Sequence, residues 1–290
     1  MMFHVEHNKE GMKKLICSTK DYLISGEAFS IVWDNTTQYA HTHPRPINQQ
    51  LDFYHASENY ISHNDSNKNP FALTYRISRN WMFRVKYRMF KSRIPNKAKV
   101  LDYGCGTGEF LNYLSKKKHQ TAGIEPNFHA RSQCKQKGLN VVSSLEQLLN
   151  NEHDLITLWH VLEHVPDLEQ CLRSIKTQLK KKGTLLIAVP NLNSFDAKYY
   201  EKYWAAFDVP RHLWHFSKEG MKTLVEPFGF ELVRKYPLML DALYIGYISE
   251  QHKGSRFPFL RGMFRGIESN IRAFFSGEYS SLVYVFKKIK

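Results

Sequence analysis

Apolar and polar positions follow four different patterns along this 290-residue chain. Residues 1–74 show little periodicity. Val32-Trp33 stands among turn-forming residues such as Thr42-His43-Pro44-Arg45-Pro46, and His63 to Pro70 is polar throughout and reads as a linker. An irregular N-terminal arm is expected there. Within 75–96, Ile77, Trp81, Val85 and Met89 recur every four residues with Arg76, Arg79, Arg84, Lys86, Arg88 and Lys91 between them, which predicts a basic amphipathic helix. From residue 97 short apolar runs alternate with helical patterns. Strands are predicted at Lys99–Tyr103, Thr121–Glu125, Leu139–Val142, Asp154–Trp159 and Thr184–Val189, with helices over Glu109–Lys118, Asn127–Lys137, Leu145–Leu149 and Asp167–Lys180. Continuous apolar strands of this kind belong to a parallel sheet covered on both faces. After Pro190 the alternation breaks into an aromatic segment, 193–217. A helix at Lys218–Glu226, a strand at Phe230–Lys235, a partly helical insertion at 238–277 and a last strand at Ser281–Phe286 follow.

The first of these strands runs into Gly104, Gly106 and Gly108 and then a helix. A strand, a glycine turn and a helix make a nucleotide-binding corner, because the backbone must turn sharply and admit a ligand where a Cβ would collide. The Gly-x-Gly-x-Gly spacing differs from the dinucleotide fingerprint and lacks the Gly-Lys-Ser/Thr ending of a P-loop. Asp102 at the strand end repels phosphate and suits a ligand carrying an ammonium group. Glu125 closes the next strand, about 20 residues on, where a carboxylate accepts hydrogen bonds from both ribose hydroxyls.

Composition adds limits. The formal charge of +14 and pI near 9.5 permit contact with nucleic acid or anionic lipid without establishing either. Lys116–Lys118 and Lys180–Lys182 fall at predicted helix C-termini, where cations suit the helix dipole. The four cysteines, Cys17, Cys105, Cys134 and Cys171, form no Cys-x-x-Cys pair, which fits a reducing, cytoplasmic setting. Met1 to Glu10 has no apolar core and does not read as a secretion signal. Pro237–Ile248 is too short to span a bilayer, so a soluble or membrane-peripheral protein is expected.

Val100–Phe110 resembles the first motif of class I S-adenosylmethionine (SAM)-dependent methyltransferases. That resemblance implies a Rossmann-like α/β fold: a seven-stranded, mostly parallel sheet with the last strand antiparallel and helices on both faces. Here it would span 75–290, with the N-terminal extension before it and the insertion ahead of the last strand. It also implies SAM as cofactor, with S-adenosylhomocysteine as product. The implied cofactor contacts are Asp102, Tyr103, Gly104, Cys105, Gly106 and Gly108 at the turn, Glu125 and Pro126 at the ribose, Ser143, Ser144 and Leu145 near the adenine, and Trp159 and His160 near the methionine end. Many family members carry an acid where this chain has the two serines.

Trp159-His160-Val161-Leu162-Glu163-His164-Val165-Pro166-Asp167 resembles the Glu-His-Val-x-Asp signature of quinone-biosynthesis and related small-molecule methyltransferases. Histidine is the natural base near neutrality, so His160 and His164 are candidates for deprotonating an acceptor hydroxyl. A divalent metal held by this stretch, as in some quinone O-methyltransferases, is the alternative. The stretch lacks the Asn/Asp-Pro-Pro-aromatic motif of enzymes acting on base amines, which argues against a nucleic-acid acceptor. Further on, within the aromatic segment 193–217 expected to form the acceptor lid, Trp204 to Ser217 gathers Arg211, His212, His215 and several aromatics, which suits an acceptor of apolar and anionic character; the alternative is a rigid aromatic lid with Arg211 paired to Asp208. The Asp-Val-Pro-Arg-His-Leu-Trp-His-Phe-Ser run resembles a bacterial methyltransferase group related to the ubiquinone and menaquinone enzymes. Together these imply methyl transfer to a small molecule, quinone-like or lipid-linked, with O-methylation favoured, by direct displacement. The rival expectations are a non-catalytic SAM-binding scaffold and an RNA-modifying enzyme.

Overall fold

A computed structural model describes residues 13–46, 54, 81–148 and 152–289. The linker read at His63–Pro70 and the first part of the basic helix lie outside the described residues. The chain divides into two compact units, one of residues 58–189, 225–237 and 282–290, the other of 1–57, 190–224 and 238–281.

The first unit carries the sheet that the apolar runs predict. Its strands are β4 (Lys99–Tyr103), β5 (Gln120–Ile124), β6 (Val141–Val142), β7 (His153–Trp159), β8 (Leu179–Pro190), β10 (Phe230–Pro237) and β11 (Ser281–Lys288), in the order β10-β11-β8-β7-β4-β5-β6. β4 pairs in parallel with β5 and β7, β7 with β8 and β5 with β6, whereas β10 and β11 are antiparallel. Val100, Leu101, Leu155, Ile156 and Leu158 are buried, which is why these strands read as unbroken apolar runs. The chain order reverses on either side of β4, and in open α/β sheets ligands bind beyond the strand carboxyl ends at such a point.

Four helices are described in this unit: α1 (81–90), α2 (Glu109–Lys116), α3 (Phe128–Gln136) and α4 (Leu168–Gln178). α4 buries Leu168, Cys171, Leu172 and Ile175, an i, i+3, i+4, i+7 stripe, and Asp167 Oδ1 caps it by accepting from Gln170 N at 2.9 Å. It ends earlier than its sequence pattern suggests, because buried Leu179 already pairs with His153 in the sheet. Lys180–Lys182 therefore open β8 rather than close a helix, and Lys180 Nζ lies 2.8 Å from Asp154 Oδ1. The helix expected over 145–149 is a single 3₁₀ turn, Leu145–Gln147.

In the second unit, residues 13–43 correct the expectation of an irregular arm. They form a three-stranded meander of β1 (Lys13–Lys20), β2 (Ala28–Asp34) and β3 (Tyr39–His43), and β9 (Trp214–Phe216) joins the edge of β3. Phe29, Ile31 and Ala40 point into a core with Tyr200, Trp204, Phe207 and Ile245. The remaining helices are α5 (Phe195–Tyr200), α6 (Lys218–Val225), α7 (Met239–His252) and α8 (Pro258–Ser276), so the 238–277 insertion is a helical pair. α7 and α8 run antiparallel in close contact. A Cβ on Gly246 would lie 2.6 Å from Gly262 O, and one on Gly266 would lie 2.6 Å from Ala242 O. No described helix is long and apolar enough to cross a membrane.

Candidate functional site

At the carboxyl end of β4 the chain turns through Gly104, whose φ of +72° belongs to the left-handed region. A side chain there is excluded twice over, since its Cβ would lie 2.4 Å from Val161 Cγ2. Gly104 N and Cys105 N both donate to Ile124 O, at 2.8 and 3.0 Å, which ties the turn to the end of β5. Around Gly106 the situation differs: its φ is +53° and no atom lies within 4 Å of where a Cβ would stand. The backbone is bare there, and a ligand can approach it directly.

Glu125 joins the two strand ends. Its Oε2 accepts from Gly106 N at 2.8 Å and its Oε1 from Asn127 N at 2.8 Å. Each carboxylate oxygen keeps acceptor capacity for a further donor, as a pair of ribose hydroxyls requires. Pro126 follows, and Asn127 caps α3 by accepting from Ala130 N. Asp102 is buried beneath the turn and accepts from Thr157 Oγ1 at 2.6 Å. Burial pushes its carboxyl up to about 6, with the Thr157 hydrogen bond and the Lys86 charge pulling the other way.

Lys86 comes from α1. Its Nζ lies 4.2 Å from the centroid of the Trp159 ring and 5.7 Å from that of Phe110, a cation over an aromatic wall. Phe83 and Phe90 of α1 pack on Phe110, and Phe110 meets Trp159 edge-on at 5.7 Å. Trp159 Nε1 is buried with no hydrogen-bond partner among the described residues. The helix thus packs beside the glycine turn through Phe83, Lys86 and Phe90, a different face from the predicted stripe, of which Trp81 is exposed and Ile77 lies outside the described residues. Two thiols, Cys105 and Cys134, share the apolar floor under the turn with Leu111 and Val141.

The edge toward β6 is polar. Ser143 N and Oγ both donate to Gln147 Oε1, at 3.1 and 3.0 Å, while Leu145 is buried. Ser144 precedes the 3₁₀ turn in extended backbone.

After β7, His160 has a φ of +55°, a conformation that costs a non-glycine residue of order 1–3 kcal/mol and collects at functional sites. Its Nδ1 lies 3.5 Å from Oε1 of Glu163, a carboxylate 1% exposed. His164 ends the short 3₁₀ turn Leu162–His164. Glu163, Thr157 and Lys86 are not among the site residues that the sequence predicts. The i, i+3 spacing of His160 and Glu163 is a signal for the first of these.

The structure therefore brings Asp102, Tyr103, Gly104, Cys105, Gly106, Gly108, Glu125, Pro126, Ser143, Ser144, Leu145, Trp159, His160 and His164 into one unit, at or next to its strand ends. His212 and His215 belong to the other unit. There His215 is buried, bonds Thr42 Oγ1 through Nε2 at 2.9 Å and meets Phe207 edge-on, which places it in the packed interior of that unit. His212 Nδ1 bonds Ala206 O at 2.8 Å. Arg211, expected to meet an anionic acceptor, is 1% exposed. It is held by Asp208 Oδ1 at 2.7 Å and Asp21 Oδ1 at 2.9 Å, so it already has its anions.

This sheet order with an antiparallel last strand, and a glycine turn at its switch point, define the class I methyltransferase fold. A methyltransferase-domain family matches residues 75–235, more than half the chain, and the chain belongs to that family. Among curated relatives, a ubiquinone biosynthesis O-methyltransferase of Actinobacillus pleuropneumoniae is 33% identical over 107 residues, 32% of this chain and 46% of that protein. An uncharacterized protein of Methanocaldococcus jannaschii is 30% identical over 127 residues, 43% of this chain and 55% of that one. The chain spans about half the length of these relatives. The structure of a putative sarcosine dimethylglycine methyltransferase from Galdieria sulphuraria superposes with a TM-score of 0.52 at 17% identity, covering 83% of this chain and 98% of that chain.

Proposed function

We propose that the chain transfers a methyl group from S-adenosylmethionine to a small-molecule acceptor, with an oxygen of a quinone-like or lipid-linked compound favoured. The observation that carries this reading is the joint at the switch point, where the bare Gly106 backbone and the Glu125 carboxylate meet through a 2.8 Å hydrogen bond. The cradle fits the cofactor: bare backbone for close approach, a carboxylate for ribose hydroxyls, and an unpartnered indole donor at Trp159. When bound, S-adenosylmethionine supplies an electrophilic methyl on a sulfonium.

The chain's own residues then have distinct tasks. Gly104 and Gly106 shape the turn, and Glu125 accepts the ribose hydroxyls. Asp102 places negative potential under the turn toward a cationic ligand. Ser143, Ser144 and Leu145 border the adenine, and Pro126 bounds the ribose side. His160 takes the acceptor's proton on Nε2, while Nδ1–H faces Glu163 and the carboxylate stabilises the imidazolium that results. The Lys86, Phe110 and Trp159 wall excludes water from the reacting side. The O-methyltransferase name of the relatives supports the choice of oxygen.

Titration calorimetry with S-adenosylmethionine and S-adenosylhomocysteine tests the reading. Micromolar-range affinity that Gly104→Arg abolishes is expected, and no affinity for either compound would overturn it. With a working acceptor, His160→Ala and His164→Ala assign the base, and a chelator separates that role from a divalent ion. Cofactor binding without turnover across an acceptor panel would leave the scaffold alternative.

A further inference from the structure

The helix α8 is built inside out for a helix on a protein surface. Gly262, Gly266, Ser269 and Ala273 lie on one face and are buried against the neighbouring structure. The opposite face carries Leu260, Phe264, Ile267, Ile271, Phe274 and Phe275, whose relative exposures run from 51% for Ile267 to 82% for Phe275. At 100° per residue these six span one continuous stripe along a helix about 28 Å long. A scattered exposed Leu needs no explanation, but a contiguous aromatic and aliphatic stripe of this length marks an interaction surface. α8 also lies outside residues 75–235, the part shared with the methyltransferase family.

Charge selects what this face meets. One flank of the stripe carries Arg261, Arg265 and Arg272, and Arg256 stands just before the helix. The sole acid of α8, Glu268, is already taken up by Arg265 Nη1 at 2.6 Å and Arg272 Nη2 at 2.8 Å. Arg256 and Arg261 have no acidic partner among the described residues, and the whole chain carries +14. A second copy of the chain laid on this face would bring the same cations against it. An anionic lipid surface complements it, the apolar stripe entering the acyl boundary and the arginines meeting head groups. With three arginines and a glutamate, the helix lies on a bilayer rather than through it, in agreement with the absence of a spanning helix among the described residues. We infer that α8 docks this protein on anionic membranes through its Leu260–Phe275 stripe.

This inference is independent of the methyl-transfer reading, and its test needs neither cofactor nor acceptor. The full chain is sedimented with vesicles of phosphatidylglycerol and phosphatidylcholine in equal parts, and with phosphatidylcholine alone. Binding to the first and at least tenfold weaker binding to the second are expected. Phe264→Asp with Ile271→Asp should lower partition by a further tenfold or more with an unchanged circular dichroism spectrum, since both side chains are exposed. As a second variant, Arg256→Ala with Arg261→Ala should weaken binding about fivefold per cation, the equivalent of ~1 kcal/mol each. Raising salt from about 0.1 M to about 1 M, which shortens the Debye length from roughly 10 Å to roughly 3 Å, should weaken binding in the same direction. No binding to the anionic vesicles would overturn the inference, and so would either of two further results. One is vesicle binding that neither variant reduces. The other is sedimentation velocity showing a dimer that Phe264→Asp with Ile271→Asp converts to monomer, which would give the face to a second copy.

Discussion

Two buried aspartates, one in each unit, show opposite electrostatics. Asp21 accepts from the backbone N–H of Leu23 and Ser25, at 3.0 and 2.9 Å, and from the hydroxyl of Ser25 and the guanidinium of Arg211. Burial would raise its pKa, yet those donors together hold it below the ordinary carboxylate value. Asp102 is as deeply buried, Thr157 alone among the described residues donates to its carboxylate, and its carboxyl is pushed up to about 6. The lesson is that burial alone does not mark a functional acid; the supply of donors decides. A carboxylate saturated by its own chain, like Asp21, belongs to the architecture. One left short of donors beside a bare glycine turn, like Asp102, sits where its own chain disfavours its charge.

The sharpest way to break this contrast is to remove the donor that Asp21 and Asp208 share. Arg211→Met leaves both carboxylates facing a buried apolar side chain, and breaking a buried pair from one side costs about 3–5 kcal/mol. Urea denaturation should show that loss, with Arg211→Lys intermediate because an ammonium cannot reproduce the forked geometry. A loss under about 1 kcal/mol would mean that solvent reaches the site and the pair is not structural.

Asp102 should respond with the opposite sign. Its folded pKa, about 6, lies above the ordinary 3.8, so between those values the folded state holds a proton that the unfolded chain has released. Stability from this group is present at low pH, falls as pH rises through that window, and above about 6 the full penalty of about 3 kcal/mol applies. Asp102→Asn should flatten that segment and be at least as stable as the wild type at neutral pH, while its affinity for S-adenosylmethionine falls. Identical pH–stability curves for the two proteins would contradict the raised pKa.

The same contrast explains what the sequence made legible. The strand ends of the first unit are readable because β4, β7 and the Gly183–Val189 part of β8 are mostly buried apolar runs and the glycine turn has one physical use. What stayed hidden there depends on register: Thr157 meets Asp102 only because the two are partners across β4 and β7, and no periodicity announces that. In the second unit the concealment is deeper. β1 is almost wholly exposed and carries a register shift between Leu15 and Cys17, so the alternation that identifies a strand is missing. β9 joins β3 from far along the chain, and Arg211 finds Asp21 across 190 positions. The polar richness of 208–216 reads as a binding lid in sequence, and in the structure Arg211, His212 and His215 have partners within that unit.

His215 gives the smallest and most selective test of that last point. Burial holds its imidazole well below the ordinary value of 6.5, with the charges of His212 and His41 adding to the effect. The unfolded chain takes up a proton at about pH 6.5 that the folded chain refuses. Stability from this group is therefore present above that pH and lost as pH falls below it, at up to about 1.4 kcal/mol per pH unit. His41, His119, His153 and His252 are lowered as well, so the wild-type slope is a sum of several groups. The difference between wild type and His215→Gln, which keeps a polar partner for Thr42, isolates one of them. It should shrink by about 1 kcal/mol between roughly pH 6.5 and pH 5.5, with the variant showing the shallower fall. Asp102 moves stability the other way in part of this range, so the comparison is cleanest when repeated in the Asp102→Asn background. A difference that does not change with pH would mean that His215 is protonated in the fold or reached by solvent, and would return it to the set of residues able to meet an acceptor.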